Sequence, residues 1–276
     1  MDHKKMAINN PLVSIQIPTY NSERTLRGTL EAIKKQNYSN IEVIIVDGYS
    51  KDQTLKIAGE YNCRVIMCRG GLMEARIVGI KKSKGRYVLF IDSDQIIHQA
   101  SIEKAIEKIK DYYYLWLYER AYNKEKILPS LYDADRLLTQ KYLGEGVVLP
   151  RFFRKDVLSK AVSRIPKGIY EVCRAHEHLV IFHEIKKISK KMGVIGTKEE
   201  PAVEHIEPSN FLILFKKQYR WGKTTREFYE KGFYQNLISK KNRFRRFYKE
   251  DIVWSIKSFI LRVFRGIPYK LGYWFG

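Results

Sequence analysis

Through the first 110 residues the apolar positions change their period at short intervals. LVSIQIP (Leu12 to Pro18), IEVIIVD (Ile41 to Asp47), RVIMC (Arg64 to Cys68) and YVLFID (Tyr87 to Asp92) are compact apolar runs rich in β-branched side chains, the pattern of short buried strands. Between them, Thr25 to Gln36, Asp52 to Tyr61 and Leu72 to Ser83 read as helices. This alternation predicts βαβ units and a largely parallel sheet. In open α/β sheets, ligands bind where the strands' carboxyl ends emerge. Those ends are Pro18-Thr19-Tyr20-Asn21, Asp47-Gly48-Tyr49-Ser50, Arg69-Gly70-Gly71 and Asp92-Ser93-Asp94, and each is polar or glycine-rich.

After residue 111 the alternation stops. Tyr112 to Arg120 and Gly146 to Phe153 look like strands, and helical patterns surround Ser130 to Tyr142 and Ala175 to Ser189. With no internal repeat and no low-complexity linker, the second half is expected to complete the same sheet. The C-terminus differs again. Ile252, Val253, Ile256, Phe259, Ile260, Val263 and Phe264 recur at helical spacing, with Lys257, Arg262 and Arg265 interspersed. No run reaches the roughly 18 apolar residues of a spanning helix. A basic amphipathic helix of this kind lies in the headgroup plane of a membrane or packs on the domain. RFRRFYK (Arg243 to Lys249) and PYKLGYWF (Pro268 to Phe275) add basic and aromatic anchors on both sides.

Composition and charge narrow the choice of partners. The 276 residues are 45% hydrophobic and 29% charged, a globular balance sufficient for one large domain with or without an appendage. The net charge of +21 is uneven: the last 68 residues hold 16 basic side chains against 4 acidic ones. Such a segment seeks a polyanion. Because the ligand-type strand ends lie in the less basic part and no nucleic-acid motif is recognisable, no nucleic-acid partner is expected. The expected partner is instead a membrane surface, met through residues 243–276. Cys63, Cys68 and Cys173 form an odd set without CxxC spacing, which argues against a disulfide framework or zinc site and for a reducing cytoplasm. The opening MDHKKMAINNPLV lacks an apolar stretch of signal-peptide length. A cytoplasmic protein, peripheral on the inner face of the cell membrane, is the resulting expectation.

Asp92 and Asp94 flank one serine where an apolar strand ends. One aspartate there could cap the following helix. Two suit a tight turn in which one carboxylate reaches a hard divalent cation, Mn²⁺ or Mg²⁺, and the other a sugar hydroxyl or ribose.

PTYNSERTL (Pro18 to Leu26), IIVDGYSKDQT (Ile44 to Thr54) and RGGLMEARIVGIKKSKGRYVLFIDSDQ (Arg69 to Gln95), in this order, resemble the inverting family 2 glycosyltransferases of GT-A fold. The resemblance is strong over residues 12–100 and weaker to about 225. It implies an α/β GT-A domain over residues 1–232, with a nucleotide-sugar half (11–110) and an acceptor half (111–232), followed by a basic helical segment (233–276). It further implies that Pro18, Tyr20 and Glu23 border the base and ribose, with Thr19, Gly71 and Ser93 also on the donor side. Asp47 would accept a hydrogen bond from the base, Arg76 would sit near base and diphosphate, Asp92 would face the donor, and Asp94 would bind the metal. His205 resembles a downstream histidine that completes the metal site, and Lys217 and Arg220 of KKQYRWG would contact the diphosphate. Gly48 and Ile77 stand where the family often has aspartate and asparagine, which leaves the base open between uracil and guanine.

A hydroxyl acceptor needs a general base. In CRAHEHLVIFHEI (Cys173 to Ile185), Glu177 is the first candidate and His178 the second, depending on which residue aligns with the family's usual aspartate. The resemblance thus implies metal-dependent transfer from a UDP- or GDP-sugar to a hydroxyl of a lipid-linked or membrane-proximal glycan. Three alternatives stay open: a polyprenyl-phosphate sugar synthase, whose acceptor is already an anion, a nucleotide-sugar binder without catalysis, and, from the net charge alone, a nucleic-acid-binding protein.

Overall fold

All four N-terminal apolar runs form strands in the computed structural model, which describes residues 10–143, 150–208, 210–239 and 247–276. They are β1 (Val13–Thr19), β2 (Ile41–Asp47), β3 (Arg64–Met67) and β4 (Tyr87–Phe90), joined by α1 (Leu26–Lys34), α2 (Thr54–Glu60) and α3 (Leu72–Lys82). β1 pairs in parallel with β2 and β4, and β2 with β3. Side chains alternate across β4 and just beyond it. Val88 and Phe90 join a core with Met73, Ile77 and Phe153, while Leu89 and Ile91 join one with Ile15, Ile17 and Leu30. Buried Gln16 ties α3 onto the sheet by donating Nε2–H to the carbonyls of Ala75 (2.8 Å) and Arg76 (2.9 Å). Gly79 leaves the room this requires, since a Cβ there would lie 2.1 Å from Gln16 Nε2.

Beyond β4 come β5 (Gln95–Ile97) and α4 (Ser101–Lys108). The expected single strand over Tyr112 to Arg120 is two, β6 (Tyr114–Leu117) and β7 (Glu119–Ala121), which belong to different sheets. Tyr118 makes the switch. Its N–H donates to the Ile195 carbonyl (2.9 Å), while its own carbonyl accepts from Ala202 (2.9 Å) and Val203 (3.1 Å). α5 (Ile127–Leu138) begins ahead of the expected Ser130 and runs into one wider turn at Thr139–Leu143. Of the strand expected over Gly146 to Phe153, residues 146–149 lie outside the described residues. The observed β8 is Phe152–Arg154, inserted antiparallel between β4 and β6. α6 (Lys155–Val162), α7 (Glu177–Lys186), β9 (Met192–Ile195), β10 (Val203–His205), α8 (Phe211–Glu230), α9 (Gln235–Ser239) and α10 (Ile252–Phe275) follow. α7 is shorter at both ends than the helix expected over Ala175 to Ser189.

The main sheet runs β3-β2-β1-β4-β8-β6-β9, and a small second sheet runs β5-β10-β7. The second half therefore does extend the first sheet, and it also builds another over its edge. Pairing of β10 with β5 and β7 sets His205 opposite Gln95 and Ala121. α10 packs on α5 and α8. Its Leu261 is buried in a cluster with Leu128, Leu131, Tyr132 and Leu214. α8 and α10 approach closely enough that a Cβ on Gly222 would lie 2.0 Å from the Tyr269 carbonyl, and one on Gly272 1.9 Å from that of Tyr219. The opposite side of α10, including Val253, Ile256, Phe259, Val263, Ile267 and Trp274, is exposed. No described helix is long and apolar enough to cross a membrane. Residues 243–246 of the RFRRFYK stretch lie outside the described residues.

Candidate active site

The turn after β4 is held by its own backbone and by the second sheet. Gln95 N–H donates to the Asp92 carbonyl (3.1 Å), and Ile206 N–H to the Asp94 carbonyl (2.8 Å). The latter bond brings the end of β10 over the turn. Asp92, Asp94 and His205 each present a ligand atom so that all three lie within 4.8 Å of one another. His205 Nε2 is 3.4 Å from Asp94 Oδ1, and its Nδ1 faces Glu207 Oε1 at 3.4 Å. Two carboxylates and an imidazole are a donor set that fits Mn²⁺, and with its remaining sites on water or phosphate also Mg²⁺. Asp94 and His205 meet as the sequence pattern implied, and Asp92 joins them.

Asp92 also opens a chain of alternating charges. It pairs with Arg76 and with Arg151 (3.1 Å); Arg151 pairs with Glu119; Glu119 with Arg136 (2.5 Å); and Arg136 with Glu207, behind His205. Burial works against the Asp92 carboxylate, but Arg151 and Arg76 outweigh it and hold its pKa well below the ordinary range. Burial likewise opposes ionisation of Glu119 and Glu207, and their arginines prevail there too.

Several of the residues expected on the donor side also hold the surrounding loops in place. Arg76 is completely buried, with its guanidinium 4.7 Å above the Phe90 ring and turned to Asp92. It therefore supports the turn from beneath. Asp47 is also fully buried. Its oxygens accept from Thr19 Oγ1, Ser50 N–H and Ser50 Oγ, each at 2.7 Å, so it ties the loops after β1 and β2 together. Gly71 answers a packing need: a Cβ there would lie 2.7 Å from the Glu171 carbonyl. Glu23 accepts from Gln53 N–H (3.0 Å), and Ser93 Oγ bonds Ser22 Oγ (3.0 Å). Pro18 is part of β1, and the rings of Tyr20 and Tyr49 stand exposed at the rim, with Arg69 4.9 Å over Tyr49.

On the far side of His205 opens a cavity of about 310 Å³. Its walls come from β6, β7, α5, α7, α8 and α10, and include Trp116, Glu119, His178, Lys217, Gln218 and Arg265. Lys217 lies on this wall, whereas Arg220 is exposed and off it. His178 is on the wall too, and its Nε2 is 3.1 Å from Arg76 Nη2. Arginine only donates, so this nitrogen accepts and the imidazole is neutral. Burial, then Arg76 and Arg151, push the His178 pKa well down. Glu177 is buried at the start of α7, off the cavity wall, with Oε1 3.4 Å from His178 Nε2. Burial raises its carboxyl pKa from 4.5 to about 7.

Sequence reasoning missed Glu119, Arg136, Arg151, Trp116 and Gln218. The available signal was a charged residue set inside an apolar run, as in YYYLWLYER and VVLPRFF.

Comparisons with known proteins agree with this arrangement. A family profile described as Glycosyl transferase family 2 matches residues 14–143. An uncharacterised glycosyltransferase of Bacillus subtilis, EpsJ, is 31% identical over 145 residues, 49% of this chain and 42% of that protein. The chain spans less than half the length of the curated relatives it matches. Among solved structures, Staphylococcus aureus TarS 1–349 in complex with UDP-GlcNAc superposes with a TM-score of 0.53 at 17% identity, covering 95% of this chain and 90% of that one. The mannosyltransferase PcManGT of Pyrobaculum calidifontis, in complex with GDP-Man and Mn²⁺, gives 0.57 at 12% identity, covering 96% and 87%. The seven-stranded sheet flanked by helices is the GT-A fold. Over residues 14–143 this chain is similar to the family 2 glycosyltransferases.

Proposed function

We propose that this protein transfers a glycosyl group, with inversion, from a nucleoside-diphosphate sugar to an acceptor bound in the cavity beside His178 and Lys217. The observation that carries this reading is the meeting of Asp92, Asp94 and His205 within 4.8 Å at the carboxyl edge of a parallel sheet. The solved relatives with UDP-GlcNAc and with GDP-Man and Mn²⁺ support a nucleotide sugar as donor and a divalent cation as cofactor. Asp94 and His205 would hold Mn²⁺ or Mg²⁺ together with Asp92. When bound, the cation supplies positive charge for the departing diphosphate.

The chain's own residues do the rest. The loops bearing Tyr20 and Glu23 border the nucleotide, braced by Asp47 through Thr19 and Ser50. Arg76 and Arg151 keep Asp92 ionised and fixed, and Glu207 faces the Nδ1 side of the His205 ring. For a hydroxyl acceptor, His178 on the cavity wall and Glu177 behind it are the candidate general bases. The exposed apolar side of α10, and Phe211, Leu212, Ile213 and Phe215 at the start of α8, support peripheral contact with an anionic membrane through residues 243–276.

A thermal-shift screen of UDP- and GDP-sugars, with and without Mn²⁺, tests the donor and the metal together. A donor at a hundred times its Kd should stabilise the protein by about 2.7 kcal/mol. The expected shift needs Mn²⁺ and disappears in Asp94→Asn. A shift indifferent to both would sink the metal assignment, and no shift with any nucleotide sugar would sink the donor.

A further inference from the structure

Arginines lie on aromatic rings at several places in this fold, and most of them are also anchored by an acid. Arg27, Arg76, Arg154 and Arg265 each have a carboxylate within 4.0 Å. Arg69 does not. Its guanidinium lies 4.9 Å over the Tyr49 ring and makes no hydrogen bond or ion pair among the described residues. Arg69 is exposed, and Tyr49 is 44% exposed. Arg86 also rests on a ring without an acid, but it precedes β4 at the amino edge of the sheet. Arg69 and Tyr49 follow β3 and β2 at the carboxyl edge, where the ligand loops gather.

Tyr49 is held there against its own preference. Its φ of 64° is in the left-handed region, which an aromatic side chain seldom occupies. The turn is pinned on both sides: Gly48 N–H donates to the Thr19 carbonyl (2.8 Å) and Ser50 N–H to Asp47 Oδ1 (2.7 Å). Glycine would meet the same backbone need without strain, and strain of this kind gathers where a side chain meets a ligand. The Tyr20 ring covers Gly48, since a Cβ there would lie 3.3 Å from Tyr20 Cδ2. The acids of these loops are already engaged: Asp47 accepts from Thr19 and Ser50, Glu23 from Gln53 N–H, and Asp52 from the N–H groups of Glu23 and Thr54. The rim therefore offers ring faces and an uncommitted guanidinium.

Position along the sheet decides what meets them. In the order β3-β2-β1-β4, β2 stands two strands from β4 and β3 three, about 10 and about 14 Å at ordinary strand spacing. With a diphosphate on a cation at Asp92, Asp94 and His205, the part of a nucleotide sugar that extends this far is its base. We propose that Arg69, laid on Tyr49, reads the carbonyl edge of the donor's nucleobase. The inference rests on the glycosyl-transfer reading above and adds to it the residue pair that selects the base. A guanidinium only donates, so it suits O6 and N7 of guanine or O4 of uracil. It does not suit the amino group that adenine and cytosine carry in place of that carbonyl. Guanine and uracil share the chemistry, and guanine offers the fork two acceptors where uracil offers one.

The test uses the full chain with Mn²⁺ and measures Kd by calorimetry for UDP, GDP, CDP, ADP and, as a ligand without a base, pyrophosphate. The tighter of UDP and GDP should bind about tenfold better than CDP and ADP, and which of the two leads names the base. Arg69→Met should weaken that favoured nucleotide about tenfold, a loss of about 1.4 kcal/mol, and leave pyrophosphate unchanged. Tyr49→Gly removes the ring and suits the backbone, so the melting temperature should hold while the base preference falls. A Tyr49→Gly protein that melts early and keeps the preference would give the ring a packing role and overturn the pairing. CDP or ADP binding as tightly as the favoured nucleotide, a Kd unmoved in Arg69→Met, or pyrophosphate weakened in the same proportion overturns the proposal. Failure of all five ligands to bind the unmodified protein overturns the glycosyl-transfer reading beneath it, and this inference with it.

Discussion

Glu177 is buried beside a neutral imidazole, and its nearest cation, Arg76, is already committed to Asp92. The consequence is a carboxyl that keeps its proton to about pH 7. Between its ordinary 4.5 and about 7, the folded protein holds a proton that the unfolded chain has released, so this group lowers stability as the pH rises through that window. Asp92 acts in the opposite sense: its folded pKa is depressed, so its contribution is present at neutral pH and is lost on acidification. Glu177→Gln should therefore gain on the unmodified protein as the pH goes from 5 to 7.5. Melting temperatures of the two at both pH values measure this, and parallel curves would show that Glu177 is not a buried acid. At this scale the sequence was informative where function is written into a short motif. Asp92, Asp94 and His205 were legible because one tight turn and one strand end carry them. Arg151 and Arg136 were not, since their carboxylate partners lie 59 and 71 residues away and only the folded sheet order joins them.

The C-terminal helix presents its packing as a matter of two glycines. Helical spacing of Ile252, Ile256, Phe259 and Val263 marks an amphipathic stripe, and a stripe of that kind usually faces a core. Here it faces outward, while Ser255, Ser258, Leu261 and Gly272 face the domain. Periodicity alone gives the element but not its orientation, because that depends on how near another backbone can come. Gly272→Ala forces a methyl against the Tyr219 carbonyl, which has no rotamer to escape into. It should cost about 1–3 kcal/mol and lower the melting temperature by several degrees. An unchanged melting temperature would mean that the helices do not meet at this glycine. The strands of the first half were legible as elements because each is a short run dominated by β-branched and aromatic apolar residues. β6 and β7 were read as one because Tyr118 changes sheets through backbone bonds, which no side-chain pattern records.

Over the whole molecule, charge and apolar exposure gather at the same end. The last 68 residues hold 16 basic against 4 acidic side chains, and the exposed apolar residues of α8 and α10 lie among them. If this end meets a membrane, the full chain should sediment with anionic vesicles at low salt and less well as salt rises. Replacing outward-facing Phe259 and Trp274 by glutamate should abolish sedimentation while the melting temperature stays the same. A double variant that still sediments would assign the attraction to charge alone. Deletion of the helix is the poorer test, since Arg265 on α10 forms part of the cavity wall. The same helix therefore has two sides with a fixed thickness between them. An α-helix with its side chains is about 10–12 Å across, so whatever plane the outer side rests upon, the cavity stands about one helix diameter above it. α10 is in this respect a height gauge: a reacting group tethered to that plane must rise by the width of the helix to reach the cavity, and one on a shorter stem falls short.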